Sequence, residues 1–481
     1  MITKRDFYID GRWTSPVAVN DFDVIDPATE EPCAVISLGE TADVDKAVAS
    51  ARRAFEPWAQ TPPSDRIALV QRIRDIYARR TDDIATAISL EMGAPIDMAK
   101  AQQAPAGVWH IDNFLRAAST FEFDRPLGDH APSDRIVYDP AGVCGLITPW
   151  NWPMNQVTLK VIPALIAGCT MVLKPSEIAP LSSLIFAEIV DEAGAPAGVF
   201  NLVNGDGAGV GTALTGHPDI DLVSFTGSGR AGTAICKNAA ETLKRVHLEL
   251  GGKGANLIFA DADEKAVRRG ALHCFNNTGQ SCNAPSRMLV QEEIYDDAVE
   301  TARLAAEATK VGASNTEGRH MGPVVSQAQF DKIQGLIQAG VDEGARLVAG
   351  GSGRPEGVNR GYFVRPTVFA DVTNDMTIAR EEIFGPVLSI IPFKTEEEAI
   401  EIANDTPYGL TNYVQSSDES RRQRLAKRLR SGMVEMNGRS RGAGSPFGGV
   451  RASGSGREGG VWGLEEFMEV KAVSGWTNAA S

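Results

Sequence analysis

The chain has 481 residues, 43% of them hydrophobic, which is enough for roughly two to four domains with their own cores. Its 47 Lys and Arg against 62 Asp and Glu give a formal net charge of −15, so a phosphate backbone is repelled overall and nucleic acid is not expected as a partner. A nucleotide cofactor stays allowed, because one Lys and a few backbone amides suffice to hold a phosphate locally.

Neither the first residues nor the apolar runs suggest targeting or membrane insertion. Charges are spread over residues 1–13, and the longest apolar run, 161–173, contains Pro163 and falls short of the ~20 residues that cross a bilayer. We therefore predict a cytoplasmic protein without a membrane partner. The six cysteines form no CxxC pair and no ligand-spaced cluster with the six histidines, so reduced thiols and no metal site are expected.

The predicted elements change character along the chain. Helical periodicity covers residues 42–58 and, after Pro62 and Pro63, residues 64–91, so the first part is predicted to be largely helical. From residue 136 onward, short β-branched runs alternate with helical stretches such as 296–309 and 396–404, which is the spacing of βαβ units. The predicted strands are 142–147, 170–173, 199–203, 222–225, 245–248, 256–259, 287–290 and 387–392.

This alternation predicts an α/β protein with two domains and an arm. Residues 1–120 and 140–252 would form the first domain, and residues 253–450 the second. The segment 121–139, rich in charges and Pro, and the tail 462–481 would form an intersubunit arm. The glycine-rich residues 442–460 are interpreted as a functional loop rather than a linker.

Two residues stand out as candidates for covalent chemistry. Cys282 follows a polar, Gly-containing segment between a predicted helix and a predicted strand, where a thiol can be exposed and its pKa adjusted. The alternative is that Cys282 is a small buried residue, which is the commoner situation for a cysteine. Glu249 follows the strand at 245–248 in an apolar, glycine-rich setting, which would raise its pKa toward that of a general base. The alternative is that Glu249 is an ordinary surface glutamate. In one cleft, the two would supply a nucleophile and a base for activating water.

Polar residues also follow the first two predicted strands, 142–147 and 170–173. Asn151 lies between a strand and a helix, where its side-chain amide could donate to a developing oxyanion or act as an ordinary helix cap. Lys174 and Glu177 close the next strand, and they could hold the two hydroxyls of a ribose or form a surface ion pair. These segments are therefore candidates for catalysis and nucleotide binding.

A glycine pattern follows the strand at 222–225. Gly227, Gly229 and Gly232 fit G-x-G-x-x-G at a predicted helix start, although a single match is weak evidence. Glu249 lies 22 residues beyond Gly227, where that fingerprint has its ribose-binding acid. The residues alone thus leave Glu249 with two competing roles.

Seven motifs together match one known family in order and spacing. They are PWNWP (149–153), KPSE (174–177), FTGS (225–228), ELGGK (249–253), GQSC (279–282), EEIFGP (381–386) and PFGG (446–449). On these motifs the chain resembles the aldehyde dehydrogenase superfamily over nearly its whole length. The resemblance implies a Rossmann-like dinucleotide-binding domain, a second α/β catalytic domain and a small β oligomerisation arm, in a homodimer or homotetramer.

The resemblance implies an enzyme that oxidises an aldehyde to a carboxylic acid with reduction of NAD. Cys282 would attack the aldehyde carbon, and Asn151 with the backbone N–H of Cys282 would hold the oxyanion. After hydride loss, Glu249 would deprotonate a water that opens the thioester, which decides between its two roles.

The resemblance also assigns a cofactor site. It consists of Pro149, Trp150, Lys174, Glu177, Gly227, Ser228, Gly232, Glu382 and Phe384. Lys174 and Glu177 would hold the adenine ribose, the helix start after Gly227 the pyrophosphate, and Glu382 and Phe384 the nicotinamide ribose and ring. Because a carboxylate at Glu177 would repel the 2′-phosphate of NADP, NAD is expected and NADP is less favoured.

The substrate is only partly specified. A mixed apolar and polar pocket is predicted from the neighbours of the chemistry, which are Trp152, Met154, Gln156, Ser281, Asn283 and Phe447. Arg439 or Arg441 could serve an acidic aldehyde, or they could be solvated or lie in a subunit contact.

Three other functions compete with this one. A thiol hydrolase would use Cys282 with a histidine such as His273 as base, and it would not need NAD. An inert structural homologue would keep the fold alone, but competent residue types fill all the matched positions. Transfer of the thioester to coenzyme A is disfavoured by Glu249.

Overall fold

The computed structural model describes residues 1–476, so residues 477–481 of the predicted arm lie outside it. Its strands are β1 Ile2–Lys4, β2 Phe7–Ile9, β3 Arg12–Thr14, β4 Asp21–Asp26, β5 Glu31–Ser37, β6 Asp124–Pro126, β7 Arg135–Pro140, β8 Val143–Ile147, β9 Thr170–Lys174, β10 Phe200–Leu202, β11 Leu222–Thr226, β12 Arg245–Glu249, β13 Ala255–Ile258, β14 Arg287–Gln291, β15 Arg346–Ala349, β16 Thr367–Ala370, β17 Val387–Phe393, β18 Thr411–Gln415, β19 Met433–Met436, β20 Gly454–Ser455 and β21 Met468–Val473. Its helices are α1 Thr41–Ala59, α2 Pro63–Arg79, α3 Thr81–Met92, α4 Ile96–Met98, α5 Pro105–Ala118, α6 Pro153–Ala167, α7 Leu181–Glu192, α8 Thr212–Gly216, α9 Gly229–Ala239, α10 Ala266–Phe275, α11 Tyr295–Glu307, α12 Gln327–Asp342, α13 Thr377–Arg380, α14 Glu396–Asn404, α15 Glu419–Arg428 and α16 Gly460–Glu465.

The first large sheet has the strand order β20-β12-β11-β8-β9-β10-β2-β3. Its five central strands, β8 to β12, are parallel and confirm the βαβ alternation read from the sequence. The chain runs from β8 outward to β9 and β10, and then returns to place β11 and β12 on the other side of β8. Such a reversal opens a crevice at the carboxyl ends of the strands, which is where nucleotides bind in Rossmann-like sheets.

The second large sheet has the order β15-β16-β17-β14-β13-β18-β19, and its strands from β16 to β19 are parallel. Each large sheet carries apolar helices on both faces. Alternate residues of β8 show why: Val143 and Ile147 pack toward α1 and α9, whereas Cys144 and Leu146 pack toward the helices on the opposite face. Burial on both faces explains the nearly continuous apolar runs of these strands.

A small antiparallel sheet, β21-β7-β6, joins the segment after α5 to the end of the chain. It leaves Val470 and Trp476 more than half exposed. Within residues 462–476, the tail contributes β21 to this sheet, and Leu464 of α16 is fully buried in the core of the first sheet.

The prediction of a largely helical first part was wrong for residues 2–37, which form β1 to β5. β2 and β3 extend the first large sheet, while β1, β5 and β4 form a separate three-stranded sheet. β1 to β3 have three residues each, too few to display a period of two, whereas β4 and β5 have six and seven residues and were not recognised in the sequence. Within residues 1–476, no helix is both long and apolar enough to span a membrane.

Arg287 at the start of β14 is a polar anchor inside the second sheet. Its guanidinium is fully buried and donates to the backbone oxygens of Lys253, Ile402 and Ala403 and to Asn374 Oδ1, at 2.9 to 3.1 Å. Burial lowers its pKa to about 10, so the side chain stays charged at neutral pH. This one residue ties the segment after Glu249 to the second sheet.

Replacing Arg287 with Leu should destabilise the protein without touching a reacting group. Four acceptors would lose their donor inside the core, at a cost of about 3 kcal/mol or more. The measurement is the thermal unfolding midpoint, which should fall by several degrees. The matched control is Arg303→Leu, which removes an exposed guanidinium of α11 and should leave the midpoint nearly unchanged; equal midpoints for the two variants would contradict the anchoring role.

Candidate active site

The predicted site residues follow strands that end at one edge of the first sheet. Asn151 follows β8, Lys174 ends β9, Gly227 follows β11 and Glu249 ends β12. Cys282 lies in the connection between α10 and β14 of the second sheet. Parallel neighbouring strands bring their carboxyl ends to the same edge, so residues scattered over a hundred positions meet there.

The connection between the two sheets, residues 250–254, passes directly against the cysteine loop. A Cβ at Gly252 would lie 2.5 Å from the backbone oxygen of Cys282, so only a glycine permits this approach. Gly252 is three residues beyond Glu249. The nucleophile candidate and the base candidate are thereby joined through one close backbone contact.

The cysteine loop has an unusual backbone. Asn277, Thr278 and Gly279 have successive φ angles of 51°, 57° and 72°, of which the first two are costly for residues with a Cβ. Hydrogen bonds compensate for this cost: Thr278 Oγ1 donates to the backbone oxygen of Gly322, and Asn277 Nδ2 donates to that of Gln280. A Cβ at Gly279 would collide with the backbone oxygen of Gly385, which brings the loop against the segment 381–386.

Asn151 is buried and packs against this loop. Its Nδ2 donates to the backbone oxygen of Gln280 at 3.0 Å, which leaves the second N–H of the amide free of that bond. Its own backbone oxygen accepts from Gln103 Nε2 and Asn277 Nδ2 at 3.1 and 3.0 Å. Sequence reasoning missed Gln103, Asn277 and Gln280 as positioning residues; Gln103 comes from a distant segment with no local signal.

The Cys282 thiol is partly exposed and electrostatically held in its protonated form. Burial raises its pKa most, and the carboxylates of Glu249 and Glu382 raise it further. Charges act at this strength only over short distances in a poorly solvated site. The effect of Glu249 on the thiol therefore agrees with the proximity that the Gly252 contact indicates.

Glu249 is 2% exposed, and neither carboxyl oxygen has a hydrogen-bond partner among residues 1–476. Burial raises its pKa well above the ordinary value, and the nearby Glu458 raises it further. Such a carboxyl holds its proton more tightly than a solvated glutamate, as a general base working near neutral pH requires. The sequence-based expectation of a raised pKa agrees with these surroundings.

Two further groups beside Glu249 were missed. Lys160 Nζ forms a fully buried ion pair with Glu458 at 2.7 Å and donates to Ser224 Oγ at 3.0 Å. The sequence signal that could have revealed this pair is a lysine within the apolar helix α6, because a buried charge needs a buried partner. The second is His247, whose Nε2 lies 3.6 Å from Glu249 Oε1.

The adenine-ribose candidates Lys174 and Glu177 form a closed local network. Lys174 Nζ donates to the backbone oxygens of Pro175 and Gly205 at 3.0 and 2.6 Å and to Glu177 Oε2 at 3.2 Å. Burial lowers the pKa of Lys174, and Glu177 counteracts this shift. Both side chains stand at the end of β9, where their polar ends can meet two adjacent hydroxyls.

The helix start at α9 has the features of a phosphate site. Ser228 is the N-cap and accepts from the backbone N–H of Ala231 at 3.3 Å. Gly232 is buried against Leu248 and Leu250, so the helix lies close to the sheet. A Cβ at Gly229 would meet no atom within 4 Å, which leaves the approach to the helix amides open.

The nicotinamide-end candidates approach the cysteine loop from the other side. Glu382 Oε1 accepts from the backbone N–H of Gly252 at 2.9 Å, and burial raises the pKa of this carboxyl. The ring of Phe384 meets that of Trp150 edge to face, with centroids 5.5 Å apart. Pro149 and Trp150 are half-buried beside Asn151, so these elements form a continuous wall next to the catalytic candidates.

A cavity of about 390 Å³ opens onto Cys282. Of the predicted pocket residues, Trp152, Gln156, Asn283 and Phe447 line it. Met154 does not, because it is fully buried in the core of the first sheet. Ser281 is also absent from the described wall; its hydroxyl accepts from Trp152 Nε1 at 2.8 Å and so holds the indole in place.

The polar groups of this cavity are largely paired with one another. Arg441 donates through Nε to Glu435 Oε1 at 3.0 Å and stacks on Phe447, whereas Arg439 is exposed and does not line the cavity within the described residues. His273 lines the same cavity, and within residues 1–476 no hydrogen bond joins it to Cys282. That arrangement gives a Cys–His hydrolase no support.

Comparison with known proteins agrees with this geometry. Residues 13–473 match the aldehyde dehydrogenase family. A 3-succinoylsemialdehyde-pyridine dehydrogenase from Pseudomonas sp. is 52% identical over 98% of each chain. The crystal structure of an aldehyde dehydrogenase from Bartonella henselae has a TM-score of 0.98 at 61% identity, covering 98% of this chain and 100% of that one.

A mutant of aldehyde dehydrogenase C from Pseudomonas syringae, crystallised with NAD+ and octanal, has a TM-score of 0.97 at 47% identity, covering 99% of this chain and 98% of that one. The fold predicted from the motifs is thereby confirmed. This chain belongs to the aldehyde dehydrogenase family, and it oxidises an aldehyde to a carboxylic acid with reduction of NAD.

Proposed function

We propose that Cys282 is the nucleophile of this reaction, Glu249 the general base and Asn151 an oxyanion donor. The observation that carries the assignment is the close approach of the segment after Glu249 to the backbone of Cys282. It is supported by the hydrogen bond from Asn151 to Gln280, two residues before the cysteine. Together these contacts support the assignment of the three groups to one site.

The proposed chemistry has two halves. The Cys282 thiol loses its proton to water, its sulfur bonds to the aldehyde carbon while the C=O electron pair moves to oxygen, and the oxyanion accepts from an Asn151 amide N–H and the backbone N–H of Cys282. NAD, when bound, supplies the acceptor for the hydride whose loss leaves the thioester. In the second half Glu249 takes a proton from water, whose oxygen bonds to the thioester carbon while the C–S bond breaks and its electron pair returns to sulfur.

The Glu249→Gln variant should separate the two halves. Thioester formation does not need the base, so a first burst of NADH should remain, whereas steady turnover should fall about 100-fold or more because water is no longer deprotonated. Stopped-flow absorbance at the NADH band gives both phases in one trace. Wild-type steady turnover in this variant would contradict the role of Glu249.

Cysteine variants test the nucleophile. Cys282→Ala should show neither burst nor turnover, because no sulfur remains to form the thioester. Cys236→Ser changes an exposed cysteine on α9 and serves as the matched control, with activity close to wild type. Activity that survives in the Cys282 variant would rule out the covalent route.

We further propose that the nine residues of the cofactor site act as the family resemblance implies. The carboxylate of Glu177 beside Lys174 would then accept from the adenine-ribose hydroxyls, and it would repel a phosphate in their place. NAD is the favoured cofactor on this argument.

The Glu177→Ser variant should lower the preference for NAD over NADP about tenfold or more, because a like-charge repulsion at the ribose is removed. The measurement is the ratio of kcat/KM with the two cofactors. Glu241→Ser, an exposed glutamate after α9, is the control and should keep the wild-type ratio. An unchanged NAD-to-NADP ratio of kcat/KM in the Glu177 variant would mean that Glu177 does not contact the adenine ribose.

For the substrate, we propose an uncharged aldehyde that carries a hydrogen-bonding group. Gln156 is buried in the cavity wall, and its Oε1 has no partner among residues 1–476, which suits a polar group of a ligand. Glu435 neutralises the charge of Arg441, so this pair offers a second carboxylate little net attraction. His110 donates to Asn155 Oδ1 at 2.6 Å, and burial lowers its pKa to about 4, so it is neutral at pH 7.

Aromatic side chains complete the proposed substrate site. Trp109, Trp152 and Phe447 line the cavity and favour a flat or apolar body beyond the aldehyde. The Pseudomonas relative is named for a pyridine that bears a succinoyl semialdehyde. That compound combines a flat ring with uncharged hydrogen-bonding groups, so it is a suitable first substrate to assay.

Gln156→Met should change selectivity between polar and apolar aldehydes. Methionine keeps the length of the side chain but cannot pair with the substrate, so kcat/KM for 3-succinoylsemialdehyde-pyridine should fall about 5- to 10-fold relative to octanal. Parallel steady-state assays with the two aldehydes give this ratio. A ratio equal to that of the wild type would mean that Gln156 does not contact the substrate.

We propose a cytoplasmic homodimer or homotetramer with a first domain of residues 1–120 and 140–252, a second domain of residues 253–450, and an arm of residues 121–139 and 462–481. Val470 on the small sheet and Trp476 just beyond it are exposed, which supports an intersubunit contact there. Light scattering of the full chain and of a Val470→Asp variant would test this assignment.

A further inference from the structure

One face of β11 and β12 carries an unusual group of buried polar residues. His247 and Glu249 are two residues apart on β12, so their side chains lie on the same face. Ser224 and Thr226 of β11 are their direct partners in the sheet. We call these four residues the polar face of β12.

Several atoms of this polar face have no hydrogen-bond partner within residues 1–476. They are Thr226 Oγ1, His247 Nδ1 and Nε2, and Glu249 Oε1 and Oε2. His247 is 4% exposed and Glu249 is 2% exposed. Buried polar groups are normally satisfied, and a histidine kept only for packing would have at least one ring nitrogen bonded. The distance from His247 Nε2 to Glu249 Oε1 is 3.6 Å, slightly longer than a hydrogen bond.

Glycines define the space around this pair. A Cβ at Gly456 would collide with the His247 ring, so the imidazole is held tightly between its strand and the residues after β20. A Cβ at Gly448 would lie 2.6 Å from Glu249 Oε1. The described wall of the cavity that opens onto Cys282 includes Glu458 but not Glu249. Glu249 Oε1 therefore lies in the narrow space between Gly448 and the His247 ring.

The charges around the pair decide its protonation. Lys160, Arg245 and Arg457 face His247, and together with burial they lower its pKa well below the ordinary value. Burial, Glu458 and Glu466 raise the pKa of Glu249, against the effect of Lys160 and Arg457. A neutral imidazole beside a protonated carboxyl allows two hydrogen bonds, from Nε2–H to a carboxyl oxygen or from the carboxyl O–H to Nε2. The second joins the stronger donor to the stronger acceptor, and it requires the imidazole proton on Nδ1.

We propose that His247 is a positioning residue for the catalytic base: the protonated Glu249 carboxyl donates to His247 Nε2, which holds it outside the substrate cavity until it loses its proton and turns toward Cys282. This inference rests on the proposed role of Glu249 as the base. When the carboxyl ionises, its proton leaves to solvent and Nε2 loses its donor. The carboxylate is then released for the water that opens the thioester.

The hydrogen bond has a definite effect on pH dependence. It stabilises the protonated form of Glu249 and so raises the pKa of this carboxyl beyond the effect of burial. Because the base acts only when ionised, acyl-enzyme hydrolysis is lost as pH falls through that pKa. Removing the acceptor should move this acid limb to lower pH.

The test is the pH dependence of acyl-enzyme hydrolysis in three variants of the full enzyme loaded with NAD and octanal, followed by rapid quench. His247→Leu removes the acceptor and should move the acid limb down by about one pH unit. His247→Asn keeps a polar side chain that is too short to reach Glu249, so it should shift in the same way. His247→Gln places an amide oxygen where Nε2 lies, and it should keep the wild-type profile.

The set of variants separates hydrogen bonding from packing. His217→Gln changes a histidine near Asp45 far from Cys282, and it should follow the wild-type profile. Where the Leu side chain is not tolerated, the Asn and Gln variants carry the comparison, with thermal midpoints reporting on folding.

The inference would be overturned if the His247→Leu and His247→Asn variants had the wild-type pH profile of acyl-enzyme hydrolysis. It would also be overturned if the acid limb of His247→Gln moved as far as that of His247→Leu. Failure of the proposed function would look different. Glu249→Gln would then hydrolyse the acyl-enzyme at the wild-type rate at every pH.

Discussion

The five residues that connect the two large sheets impose the main constraint on this protein. Residues 250–254 leave β12 directly after Glu249 and enter β13, and three of them are glycines packed against other backbones or side chains. A Cβ would meet Cys282 at Gly252, Thr411 at Gly254 and Glu382 at Gly251. A larger residue in this connection would push apart the sheet that carries Glu249 and the sheet that carries Cys282.

The same constraint explains the electrostatics of the site. Burial is the first cause that raises the pKa of each of Glu249, Glu382 and Cys282, and the two carboxylates raise that of the Cys282 thiol further. Cys282 is therefore a thiol rather than a preformed thiolate, and it must lose its proton before its sulfur can attack a substrate.

In the wall of the substrate cavity, ionisable side chains form an ion pair and a hydrogen bond with neighbouring residues. Arg441 is paired with Glu435, and His110 with Asn155, so the charged and ionisable groups of the wall satisfy one another. Aromatic surface and the amide of Gln156 also line this wall. The family carries out aldehyde oxidation, and we propose that this wall selects the aldehyde.

The sequence by itself determined the family and eight of the parallel strands between β8 and β17, because these are carried by local motifs and by short apolar runs between turns. It also supplied the candidates for the reacting residues. It could not determine that Met154 is core, that residues 2–37 form strands, or that Gln103 and His247 adjoin Asn151 and Glu249. Those features join segments far apart in the chain or depend on which way one side chain points. Only the tertiary structure decides them, since a side chain's neighbours and its solvation are set by the fold as a whole.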